Sequence, residues 1–312
     1  MWLQRFTNYI LYNRWQTIAL VFFGTFIPIF GMIGILIATL VTLRKNIIEG
    51  AILVVAATVP YAISFYFSDH YHKAAPIAMW AAISVAILSN VLTWIFAVML
   101  RQRSSWSQIL QIAALLGVLV ISVIHLVYPD ITDWWGTQLQ SYYHQALATP
   151  GLLKSHIGSS EVQLETINAT KQYATGLIVV GILFNAILQL IFARWWQAII
   201  FQPRSLHKEL QNIRLSQLAG ILFAASLVLS YLGNSVVLDI MPVLYMLFGM
   251  AGLSLIHCLF KLMRSPSAWF WLLVFYMILI FSLPISIIMV AVLALFDVWL
   301  DIRNRFKKLN LR

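Results

Sequence analysis

An all-α bundle of membrane-crossing helices is the fold the sequence predicts, and three observations predict it. The 312-residue chain is 62% hydrophobic and only 10% charged, whereas a soluble domain carries about 25% charged residues. Its apolar residues fall into about eight runs, most of them near the ~20 residues a membrane helix needs. The charges sit in the short segments between those runs. In hydrocarbon every backbone N–H and C=O must be paired internally, which leaves helices or a closed barrel. Runs of this length mean helices, since barrel strands would read as short alternating segments. Eight to ten crossings are expected, depending on whether the first and last runs are broken, at Pro28 and Pro284.

The net charge of +10 would point to nucleic acid only if it clustered on a soluble face. Distributed over short loops, it reads instead as the charge that sets membrane topology. The one cysteine, Cys258, excludes a disulfide framework and any multi-cysteine metal site within one chain.

The elements follow in order, in four segments: 1–16, 17–128, 129–171 and 172–312. Residues 1–16 place Trp2, Phe6, Tyr9 and Ile10 near one helical face, with Arg5 and Arg14 as positive charges. That pattern fits an interfacial amphipathic helix. The first apolar run, Thr17 to Leu43, holds Pro28, Gly31 and Gly34, and the break is expected across those residues. Ile47 to Phe67 is the second span. The polar turn after it holds Asp69, His70 and His72, a poor metal site because a first-row metal wants three or four converging ligands. Pro76 to Leu100 and Trp106 to Tyr128 are the next two spans, with Arg101 and Arg103 between them and His125 read as an interfacial residue.

The long hydrophilic stretch, 129–171, is acidic and carries aromatic residues at helical spacing, so part of it is expected to lie on the outer membrane surface. Pro150 and Gly151 end that piece, and Ser160 with Gln163 has the spacing of a helix start. The next span ends in Arg194, Trp195, Trp196 and Gln197. Asn185 and Gln189, four apart, share one helical face near mid-membrane. Their side chains are expected either to bond neighbouring helices or to face a substrate. Arg194 is expected at the cytoplasmic interface, with Trp195 and Trp196 anchored at headgroup level. Leu215 to Leu232 and Val236 to Met263 are two further spans, the second ending near His257 and Lys261. The last run, Ser267 to Leu300, holds Pro284 and leads into a basic tail. Asp301 is expected to pair with Arg305 by helical spacing, and Asp297 with a basic residue of another helix, Arg194 or Arg214. The candidate functional or structural polar residues are therefore Asn185, Gln189, Arg194, Trp195, Trp196, His257, Asp297 and Asp301.

The Arg194-Trp195-Trp196-Gln197 ending of a mid-chain span, the closing stretch from Phe296 to Arg303, and the leucine-rich first span closing on Leu43 and Arg44 together resemble the YybS-like bacterial membrane proteins. The resemblance covers most of the chain and implies an integral protein of the bacterial cytoplasmic membrane. That family has no established activity. Its helix pattern is similar to that of the substrate-binding subunits of energy-coupling-factor vitamin importers, whose typical six spans this chain exceeds.

The sequence contains no phosphate-binding loop, no H-E-x-x-H and no G-x-S-x-G, and no enzymatic activity is expected. No cofactor, metal or nucleic-acid partner is expected either. The lipid bilayer is the expected partner, with other membrane subunits as candidates. Small-solute transport or solute binding is the first functional expectation. An envelope scaffold without a small-molecule ligand is the alternative.

Overall fold

The computed structural model describes residues 2–67, 76–148, 160–262, 267–283 and 285–309. The turn holding Asp69, His70 and His72, the break at Pro150 and Gly151, and Pro284 itself lie outside them. All regular elements among the described residues are helical, as the composition demands. Five of these helices are long and apolar enough to cross a membrane, or six if a pair bent by 69° counts as one. Three shorter apolar helices accompany them, so eight to ten crossings would need the shorter ones too. The chain forms two compact units, Met1–Ile109 with Gly181–Ile213, and Leu110–Val180 with Arg214–Arg312.

In the first unit, α1 (Trp2–Tyr12), α2 (Arg14–Gly24), α3 (Pro28–Arg44), α4 (Ile47–Tyr66) and α5 (Pro76–Arg101) are followed by the start of α6 (Trp106–Val127). The body of the helix Ala174–Phe201 and the short helix Ser205–Leu210 complete it. The first apolar run does reverse direction, but not where the sequence places the break. The chain turns at Thr25–Ile27, and Pro28 opens α3, because a residue with no N–H and a fixed φ suits a first helical position. Gly31 and Gly34 lie inside α3. Val21 packs against Gly34 and Phe30 against Gly24, the pairing of two antiparallel helices.

Both ends of that hairpin sit at the same end of the unit. Trp196 donates its indole N–H to Thr7 of α1 at 2.9 Å and stacks on Phe6, while Arg44 lies over the ring of Phe201. Trp196 is therefore a buried dock for α1 rather than a headgroup anchor; Trp195 beside it is exposed. Arg101 donates to the main-chain oxygens of Thr42 at 2.6 Å and Lys45 at 3.0 Å, satisfying carbonyls that the end of α3 leaves open. The core of the unit gathers Ile10, Val21, Leu40 and Leu53 around Trp196.

The second unit holds the rest of α6, then α7 (Ile131–Ala148), α8 (Ser160–Thr170) and a 3₁₀ turn (Lys171–Tyr173) leading into α9 (Ala174–Phe201). With the short helix Ser205–Leu210 of the first unit as α10, it continues with α11 (Gln217–Tyr231), α12 (Ser235–Leu262), α13 (Ala268–Phe281), α14 (Ile285–Leu300) and α15 (Ile302–Leu309). α12 is the centre of this unit. Ile287 packs on its Gly249 and Val290 on its Gly252, so α14 advances in the same direction as α12. α13 runs in the opposite direction, with Tyr276 Oη 2.6 Å from His257 Nε2 of α12. The last apolar run therefore folds back on itself. Its two helices have 14 and 16 residues, each shorter than the ~17 at the lower limit for a span.

Candidate functional site

Buried polar groups are expensive in a protein this apolar, so the places where they collect are the candidate sites. Among the described residues no group of three or more histidine, cysteine, aspartate and glutamate side chains could hold a metal.

The first collection lies within the first unit, between α5 and α9. Asn185 donates to Ser89 Oγ at 2.9 Å, Gln189 donates to Asn185 Oδ1 at 3.2 Å, and Thr93 donates to Gln189 Oε1 at 2.9 Å. Close by, Asn90 donates to Thr58 Oγ1 of α4 at 3.0 Å. The stripe that the sequence picked out thus bonds a neighbouring helix. Gln189 is buried within it, while Asn185 remains exposed.

The second collection caps the C-terminal part of α9. Arg194 donates through Nε to Glu209 Oε2 at 3.2 Å and through Nη1 to Gln197 Oε1 at 2.7 Å. The indole of Trp106 donates to the same Glu209 at 3.0 Å. Burial pushes the Glu209 carboxyl up, but the hydrogen bonds from Arg194 and Trp106 and the charge of the guanidinium outweigh it and hold the group below the ordinary glutamate value. The sequence located Arg194 at a helix end but gave no sign of Glu209, whose partner lies around a turn of irregular backbone where Arg204 has φ +68°.

The third collection is in the second unit. His125 of α6 and Asp239 of α12 meet with Nε2 2.9 Å from Oδ2, and both side chains are buried. The other carboxylate oxygen accepts the backbone N–H of Gly176 at 2.6 Å. Gly176 must be glycine, since a Cβ there would overlap the main-chain oxygen of Asp239. One turn further along α12, Pro242 has no N–H to offer, so the carbonyl one turn back lacks its usual helical donor. Trp135 of α7 donates to Thr175 at 2.9 Å beside this point. An open concavity of about 480 Å³ lies at the corner between α6 and α7, lined by Val127, Tyr128, Pro129, Asp130, Ile131 and Trp134. His125, read from the sequence as interfacial, stands two residues from the end of α6 and is 8% exposed and paired.

The fourth collection closes α14. Arg303 donates through Nε to Asp297 Oδ2 at 3.0 Å and reaches Ser254 Oγ of α12 at 3.4 Å. Asp301 is met by Arg214 at 3.0 Å and by the side-chain amide of Asn304 at 2.7 Å. Both pairings differ from those expected. Helical spacing assigns Arg305 to Asp301, but α14 ends at Leu300 and Asp301 adopts φ +49°, which turns the following residues away from the helical register. That turn delivers Arg303 to Asp297, in place of Arg194 or Arg214. His257 is half-buried against Tyr276.

Compared with protein-family models, curated proteins and solved structures, the chain matches none.

Proposed function

We propose that this chain is a small-solute transport or solute-binding protein of the bacterial cytoplasmic membrane, with no enzymatic activity of its own. The observation that carries the reading is the buried His125–Asp239 pair. A helix bundle that only needs to hold together gains nothing from such a pair, because apolar side chains of similar volume serve as well or better. Ionisable groups inside a membrane protein mark solute or proton pathways by default. An open concavity lies at the neighbouring corner between α6 and α7. The resemblance to YybS-like proteins supports the bacterial location.

The test is a thermal-shift screen of the detergent-solubilised protein against vitamins and metabolites. A solute bound only by the folded state stabilises it by about 2.7 kcal/mol at a hundred times its Kd, and that shift should shrink in Asp239→Asn. The scaffold reading is favoured by one observation: Gln189 and Thr93 bond each other inside the first unit rather than facing a cavity. Silence from every solute, together with stoichiometric co-purification of membrane proteins, would establish the scaffold instead.

A further inference from the structure

We infer that α15 is a docking surface for acidic phospholipid headgroups, built into the end of the last apolar helix. α15 has the sequence IRNRFKKL. It carries four basic residues and no acidic one. Arg303 is buried and paired with Asp297, while Arg305, Lys307 and Lys308 are exposed. Ile302 and Phe306, four apart, place apolar surface on one face, and Phe306 is exposed. A short helix with apolar and strongly basic faces is the pattern that lies in a membrane interface rather than crossing it.

The orientation supports the same partner. α15 leaves α14 at an angle of 69°, so the basic helix turns aside from the direction of the apolar helix that precedes it. The bend is held from several directions. Asp301 sits at φ +49°, a conformation that L residues adopt at some cost. It is secured by Asn304 at 2.7 Å and Arg214 at 3.0 Å. Arg303 anchors the first turn of α15 on Asp297 and Ser254. A flexible basic tail would need none of these ties. A fixed one presents its charges at a set height, within the ~8–10 Å over which a charged surface is felt in salt.

Each basic residue held at an anionic bilayer surface contributes about a fivefold gain in binding, so three give on the order of a hundredfold. The partner is therefore a lipid surface with net negative charge, and the contact is independent of whether the chain carries a solute.

The experiment uses the full chain in lipid nanodiscs, one set zwitterionic and one with a third of the lipid replaced by phosphatidylglycerol. An environment-sensitive fluorophore is attached at Leu309→Cys in a Cys258→Ala background. The emission should be bluer in the anionic discs, and the difference should vanish at high salt and in the triple variant Arg305→Gln, Lys307→Gln, Lys308→Gln. The charge-preserving variant Lys307→Arg, Lys308→Arg should retain it. Because the three residues are exposed, the triple variant should melt at the wild-type temperature, which separates loss of docking from loss of folding. Identical emission in both lipids would overturn the proposal. So would a shift produced in zwitterionic discs by added duplex DNA and not by anionic lipid, since that would make nucleic acid the partner.

Discussion

Asp297 and Asp301 stand four residues apart at the end of one helix and meet opposite surroundings. Asp297 is 4% exposed, and Arg303 opposite it is 8% exposed. Asp297→Asn leaves that guanidinium buried without its counter-charge, a loss on the order of 3–5 kcal/mol. Asp301→Asn should change stability by less than about 0.5 kcal/mol, because its pair with Arg214 is partly exposed and asparagine tolerates the left-handed backbone. Melting temperatures in detergent check the contrast, and equal effects would refute it. Glu209 gives a second contrast at this scale. Its folded value lies below the ordinary one, so the folded state holds its proton less readily than the unfolded state does. The stabilisation is therefore complete above the ordinary glutamate value of about 4.3 and is lost as pH falls through the lower folded value. Glu209→Gln should be less stable than wild type near neutral pH, and the gap should close on acidification. A gap that stays constant down to about pH 3 would contradict the assignment.

At the scale of the element, two glycines in long helices have opposite surroundings. At Gly252 of α12 an added Cβ would overlap the main-chain oxygen of Val290 in α14, whereas at Gly181 of α9 it would meet open space. Gly252→Ala should force the two helices apart and destabilise by about 1–3 kcal/mol. Gly181→Ala should be neutral or stabilising by roughly 0.5–1 kcal/mol, because it only removes a glycine from a helix interior. The reversed order of melting temperatures would count against the packing of α12 on α14. Run length and apolarity made the helices themselves legible in the sequence. They did not locate the first turn, because it falls at Thr25–Ile27, with no glycine or proline in it, and the proline nearby starts a helix instead of ending one. The pairing at Asp301 was illegible for a related reason: a helical wheel assumes that the helix continues, and it stops at Leu300. His125 and Asp239 are 114 residues apart, and nothing in the periodicity of either helix registers the other.

For the whole molecule, the two fold-backs bear on topology. In the first unit Arg44, Arg101 and Arg194 gather at the end where α1 docks. In the second, Arg214 meets Asp301 at the end where α15 begins. Loops rich in lysine and arginine stay on the cytoplasmic side, and on that rule we propose that the basic tail is cytoplasmic. A reporter active only outside the membrane should stay silent when fused after Arg312 and be active when fused after Asp133. Strong activity from the first fusion would overturn the cytoplasmic placement of the tail.

The bonds between α5 and α9 also imply a schedule for biosynthesis. Thr93 and its partner Gln189 are 96 residues apart, so at ~5–20 residues per second the ribosome needs several seconds to supply the second after the first. Asn90, the amide on α5, has Thr58 already in place when it arrives. Thr93 meanwhile can wait on its own helix, since its hydroxyl donates to the carbonyl of Ser89 at 2.8 Å. Asn185 and Gln189 arrive later and bond each other on their own helix, Gln189 donating to Asn185 Oδ1 at 3.2 Å. Each of these polar side chains thus has a partner on its own helix or on one made before it when its span enters the membrane.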